Sequence, residues 1–299
     1  MFGVQRNDDW TDGGISLPIA ANQGCLARTI AGMHRGTMLT EDQLRTFSER
    51  GWVVQPDVFD PNSLGRYQEA FDEHIDGHSE ARLQHDDIIR SIQFVVNFDV
   101  RFRDCLMAPQ IIEENRQITG TELKYITSWI ISRNPAPGRY EDRNALLAPD
   151  SQSWHRDLRP KWGIYPHDSD PRLINSVYNN SMVLLTDIGK DDGGTLMLDG
   201  SHRIEGSWQD LLGKCDVSQL TGSAGSVVYF SETLMHSGVA VLGERRRDVM
   251  FIAYGPPWFK TWYRSTVPDV VLADVSDELQ RNILEGWDMF GYHGQHPAM

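Results

Sequence analysis

A chain of 299 residues with 40% hydrophobic and 23% charged residues has the composition of a soluble globular protein able to bury a full core. Its formal net charge of −14 disfavours nucleic acid and anionic membrane surfaces as partners, because both repel an acidic surface. The longest apolar run, residues 249–254, is too short to span a bilayer, and the N-terminus lacks the basic and apolar regions of a secretory signal.

Residues 1–39 are rich in Gly, Asn and Thr without a sustained period and read as an arm or lid on a single domain over 40–299. Thr40-Glu41-Asp42-Gln43 is a capping box that opens a helix, with Leu44 and Phe47 on one face and Gly51 as its stop. A short strand over 52–55 follows. Asp60-Pro61 then starts a second helix, whose apolar stripe is Leu64, Tyr67, Phe71 and Ile75. Residues 104–117 are predicted as a further helix, so the helical part runs to about residue 120. β-Branched and aromatic residues alternate over 124–132, a strand, and short apolar runs recur at 182–186, 195–198, 226–230, 239–242 and 249–254. Turn material such as Asp191-Asp192-Gly193-Gly194 separates them, which predicts a β-sandwich or barrel over 121–260. Residues 274–287 are predicted helical within a C-terminal part, 261–299. The class is mainly β with flanking helices (α+β). Cys25, Cys105 and Cys215 are scattered and odd in number, which fits a reducing cytoplasm rather than a disulfide framework.

His155 and Asp157 stand two residues apart, so on an extended strand both point to one side. With a distant second histidine they could grip one ion and leave coordination positions open, as non-haem Fe(II) sites do. The pattern is common: His74-x-Asp76, His78-x-Glu80 and His85-x-Asp87 share it. On a helix, positions i and i+2 point roughly 200° apart and cannot chelate. His74 and His78 have the i, i+4 spacing of a helical zinc pair, but Gly77 weakens the turn between them and a solvated polar face explains them. His155 instead follows a proline-rich loop in an extended region, and His236, 81 residues on, ends a strand. His202 and His167 are rival third ligands. The pattern by itself leaves open whether 155, 157 and 236 bind metal or are structural.

Strand alternation after the turn at Gly243 puts Arg247, Val249, Phe251 and Ala253 on one face. Arg247 thus leads an apolar face, where a lone buried charge costs about 3–5 kcal/mol. Either a cosubstrate carboxylate held in a bidentate fork or an internal Asp or Glu must meet it.

A capped helix and Gly-Trp-Val-Val strand come first, then Trp154-His155-x-Asp157, Gly193-Gly194-Thr195-Leu196, Gly200-Ser201-His202, His236, and Arg247 eleven residues later. In this order they resemble the phytanoyl-CoA dioxygenase (PhyH) family of Fe(II)- and 2-oxoglutarate-dependent oxygenases over about residues 40–260. The resemblance implies a double-stranded β-helix (jelly-roll, cupin-like) core. It also implies a catalytic Fe(II) on His155, Asp157 and His236, with the distal carboxylate of 2-oxoglutarate on Arg247. O2 is then the oxidant, and 2-oxoglutarate leaves as succinate. Family members commonly carry a serine two residues after the distal histidine that also touches the cosubstrate. Here Ser237 comes at one and Gly238 at two, so Ser237, Thr127, Trp129 or Thr186 could supply that contact. A carboxylate at Asp157 resembles the hydroxylating members and not the halogenating ones.

A small-molecule substrate is expected, with Arg159, Trp162, Tyr165, Asn179, Tyr229, Trp258 and Trp262 as candidate contacts; each taken singly is as readily a core or surface residue. The acidic charge disfavours CoA thioesters and other polyanions. Similar proteins tailor natural products by hydroxylation, desaturation, ring closure or epimerisation. The alternatives are a non-oxidative metal-dependent hydrolase or isomerase on the same barrel, or a non-catalytic binding protein.

Overall fold

The computed structural model describes residues 38–77, 82–84, 88–158, 176, 179–261 and 266–287. Helix α1 (Glu41–Arg50) starts at the capping box: Thr40 Oγ1 accepts from the Gln43 amide at 3.2 Å, and Gln43 Oε1 accepts from the Thr40 amide at 2.9 Å. Leu39 and Leu44, on either side of the cap, pack on the same core cluster. Gly51 ends the helix at φ 87°, and a Cβ there would fall 2.6 Å from His202 Nδ1, so both backbone and space demand glycine. Strand β1 (Trp52–Gln55) leads to α2 (Pro61–Gly77), where Asp60 Oδ1 accepts from the Asn62 and Ser63 amides.

The helix predicted over 104–117 is two helices, α3 (Val100–Leu106) and α4 (Pro109–Thr119). Pro109 has no amide to continue the first helix and drives Ala108 out of the helical region. Short helices α5 (Arg143–Leu147) and α6 (Trp208–Leu211) sit in later connections, and the C-terminal segment forms α7 (Asp269–Ala273) and α8 (Glu278–Glu285) rather than one helix from 274. Among the described residues no helix is long and apolar enough to cross a membrane.

The remaining strands are β2 (Arg82–Gln84), β3 (Ile89–Gln93), β4 (Lys124–Arg133), β5 (Asn179–Leu184), β6 (Leu196–Leu198), β7 (Val217–Gln219), β8 (Val227–Ser231), β9 (His236–Ser237) and β10 (Arg247–Gly255). A seven-stranded sheet in the order β1-β8-β5-β10-β4-β3-β2 and a three-stranded sheet β7-β6-β9, antiparallel throughout, make the jelly roll. The strand predicted over 239–242 is instead a single bridge between Pro135 and Val241.

Alternation along β10 sorts two apolar layers. Met250, Ile252 and Tyr254 pack with the helices, whereas Val249 and Phe251 pack with Met182, Leu184 and Phe230 inside the roll. In the helix-side layer the Glu114 carboxyl is fully buried. Glu114 on α4 accepts from Gln110 Nε2 at 2.9 Å and from the Tyr229 hydroxyl, and burial raises its pKa above the ordinary carboxylate value. The folded state therefore binds more protons than the unfolded state between the ordinary value and the raised one, and stability falls as pH rises through that window. Glu114→Gln is expected to flatten this dependence and to be more stable than wild type at pH 8 by about 1 kcal/mol in urea titrations. A steeper fall in the variant would refute this account.

Candidate metal centre and cosubstrate pocket

His236 lies on β9, where it pairs with Met197 of β6. His155, in the extended stretch after the 149–151 turn, bonds to it through the main chain: each amide donates to the other's carbonyl, at 3.0 and 2.9 Å. The ring centroids are 4.4 Å apart. His155 Nδ1 lies 2.9 Å from the Ser153 carbonyl, and His236 Nδ1 lies 2.9 Å from the Leu234 carbonyl. A carbonyl only accepts, so Nδ1 carries a proton in both rings, and in a neutral ring Nε2 then keeps its lone pair. Burial, reinforced by the neighbouring His155, holds His236 down to about 4, so its imidazole is neutral at physiological pH, as a ligand must be. Asp157, whose amide donates to the Glu232 carbonyl at 3.1 Å, lines the same cavity. The two imidazoles are drawn together, but Asp157 does not close on them: among the described residues no three His, Cys, Asp or Glu side chains form a complete metal-holding group.

The rival histidines have structural partners. His202 Nε2 lies 3.1 Å from the Ser48 carbonyl, and His74 Nε2 lies 2.8 Å from Asp99 Oδ2. His78, His85 and His167 lie outside the described residues.

Arg247, the first residue of β10, stands opposite Arg133, the last of β4. Arg247 is 3% exposed, and its Nη1 donates to the Gly193 carbonyl at 2.7 Å. Arg133 Nη1 donates to the Val239 carbonyl at 2.8 Å. Both Nε atoms are buried without a partner among the described residues. Among the described residues no carboxylate pairs with either guanidinium; the nearby acids Asp72, Asp76 and Asp248 belong to Arg246 on the opposite face. Among the described residues, then, no internal acid meets Arg247. Burial, with Arg133 alongside, lowers Arg247 to about 9, and burial lowers Arg133 to about 10.

Both arginines, both histidines and Asp157 line one cavity of about 440 Å³. Thr127 and Trp129 line it too, with Trp129 stacked on Phe251 at 4.8 Å between centroids. Other candidates do not reach it. Ser237 alternates with His236 on β9 and so points away, fully buried. Thr186 Oγ1 accepts from the Asp248 amide on the Arg246 side of the sheet. Tyr229 faces the helices and bonds Glu114. Asn179 shares that parity, so Asn180 and not Asn179 lies on the face of Met182 and Leu184. Trp258 is 63% exposed and outside the lining. Arg159, Trp162, Tyr165, Trp262 and all but the last two residues of the 1–39 arm lie outside the described residues.

Sequence reasoning missed Arg133, which has the parity of Thr127 and Trp129, and the wall made by Ile89, Ser91 and Gln93 of β3 and by Phe94. Phe94 sits at φ 63°, a left-handed conformation that costs a non-glycine residue about 1–2 kcal/mol. Its amide donates to the Ser128 carbonyl, and the Val96 amide donates to Ser128 Oγ at 3.2 Å, which hold the turn.

The fold is that of cupin-type jelly-roll enzymes, and the family match places the chain in the class of non-haem iron, 2-oxoglutarate-dependent enzymes. The sequence profile of the phytanoyl-CoA dioxygenase (PhyH) family matches residues 47–249, and the chain belongs to that family. Its cofactors are Fe(II), 2-oxoglutarate and O2. No curated protein matches the sequence. Among solved structures the chain is similar to the carbocyclase SnoK from nogalamycin biosynthesis, at 17% identity and TM-score 0.58 over 84% of this chain and 94% of that one. It is also similar to the epimerase SnoN in complex with Fe3+, alpha ketoglutarate and nogalamycin RO, at 12% and 0.57 over 73% and 83%. HygX from Streptomyces hygroscopicus, with nickel, 2-oxoglutarate and hygromycin B bound, matches at 18% and 0.57 over 75% and 90%. At these identities the likeness is one of fold.

Proposed function

We propose that this chain oxidises an unactivated C–H bond of a small natural product, with iron held by His155, Asp157 and His236 and the distal carboxylate of 2-oxoglutarate on Arg247. One observation carries the proposal: the cavity that holds two imidazoles with open Nε2 atoms also holds a buried arginine with no acidic partner among the described residues. When bound, Fe(II) with 2-oxoglutarate and O2 supplies the oxidising chemistry and releases succinate.

The protein's own part is positional. The Ser153 and Leu234 carbonyls hold the imidazoles in the ligand tautomer. Trp129, Phe251 and Phe230 give the cavity an apolar lining that excludes water and keeps the target carbon from competing reductants. About 440 Å³ is within the range of small-molecule sites. Support for a natural-product substrate comes from the neighbours SnoK, SnoN and HygX, whose structures belong to nogalamycin biosynthesis or hold hygromycin B. Hydroxylation, desaturation, ring closure and epimerisation all begin with hydrogen loss from such a bond.

Anaerobic addition of Fe(II) and 2-oxoglutarate is expected to give a visible charge-transfer band, and admission of O2 to give succinate, in wild type but not in His155→Ala or His236→Ala. Absence of both signals in wild type, with zinc supporting a hydrolytic activity instead, would overturn the proposal.

A further inference from the structure

Arg133 and Arg247 are register partners on neighbouring antiparallel strands and line the same cavity. Like charges placed directly opposite repel, and here both are also removed from water. Each guanidinium spends one N–H on a backbone carbonyl, and among the described residues each leaves its buried Nε unpartnered. An anion between them relieves both problems. A carboxylate has two oxygens and about four lone-pair directions, enough for two guanidinium groups at once.

The backbone opposite Arg133 is shaped for it. A Cβ on Gly238 would fall 2.7 Å from Arg133 Nη2 and 3.3 Å from Cζ. Any side chain at 238 would therefore displace the guanidinium. Gly238 stands two residues after His236 and lines the same cavity. A serine at 238 and the present seat of Arg133 would exclude each other.

We propose that Arg133 is a second cosubstrate-binding residue, sharing the distal carboxylate of 2-oxoglutarate with Arg247 from the space that Gly238 leaves open. This rests on the proposed function and names who, besides Arg247, holds the cosubstrate.

The test is calorimetry on the full chain, loaded anaerobically with Mn(II), with 2-oxoglutarate and 2-oxobutyrate as probes; 2-oxobutyrate keeps the chelating keto acid and lacks the distal carboxylate. Arg133→Gln is expected to weaken 2-oxoglutarate at least about tenfold and to change 2-oxobutyrate less than about twofold. Gly238→Ala, which displaces the guanidinium without deleting it, weakens 2-oxoglutarate selectively as well. Arg133→Gln with Gly238→Ser regains part of the loss. Unchanged 2-oxoglutarate affinity in Arg133→Gln overturns the inference, as does an equal loss for both probes, which marks a structural role. Failure of wild type itself to bind 2-oxoglutarate overturns the proposed function, a result distinct from either.

Discussion

Arg247→Met is expected to raise the stability of the cosubstrate-free protein by about 2 kcal/mol while weakening 2-oxoglutarate at least about 100-fold. The two effects share one cause. Without an anion, the guanidinium is a buried charge beside a second buried arginine, with one carbonyl as its only described partner. Methionine fills similar volume and removes the repulsion, at the cost of a donor for the Gly193 carbonyl. The cosubstrate loses its principal counter-charge in the same step. Metal affinity should hold, because no atom of Arg247 supports His155 or His236. A fall in the melting midpoint, or loss of metal, would show instead that Arg247 is part of the frame.

The second large effect is expected at Gly194. A Cβ there would fall 1.9 Å from the Leu220 carbonyl oxygen and 3.0 Å from its carbon, both backbone atoms that cannot rotate away. The Leu220 amide meanwhile donates to the Thr195 carbonyl at 2.9 Å, so the two segments are bonded at that crossing. Gly194→Ala must part them, with an expected loss of at least about 3 kcal/mol and a melting midpoint lower by on the order of 10 °C. Cosubstrate affinity should drop too, because the adjacent Gly193 carbonyl anchors Arg247. Gly213→Ala, with nothing within 4 Å of its added Cβ, is the control and should melt as wild type does. Equal melting of the two variants would show that the crossing is slack.

Much of this was legible because it depends on local rules. The capping box at Thr40, the proline start of α2 and the inward parity of Arg247 follow from spacing alone, and the structure has all three. What escaped depends on facts that spacing does not carry. Asn179 and Tyr229 sit on true strands, but which face of β5 and β8 turns inward is set by the packing of α4 against the sheet, not by the strands themselves. Ser237 has a different cause: as the neighbour of His236 on extended β9 it points the other way by strand parity. Arg133 lies one residue beyond the apolar alternation that ends at Ser132, so periodicity alone does not pick it out, although β4 includes it. Gly238 has no side chain for a motif to register; what it supplies is space beside the Arg133 guanidinium. The split at Pro109 shows the reverse, a strong local signal overlooked within an apolar stretch.

The main-chain bridge between His155 and His236 separates two kinds of change. Their spacing is fixed by a pair of amide-to-carbonyl bonds, which no side-chain replacement nearby can remove. The wall facing them comes from β3, which with β2 forms the outermost pair of the seven-stranded sheet, two strands beyond β10. New side chains at Ile89, Ser91 or Gln93 therefore remodel what the cavity accepts without moving the imidazoles. Exchange of those two strands between relatives is thus a route to new selectivity that leaves the two imidazoles in register.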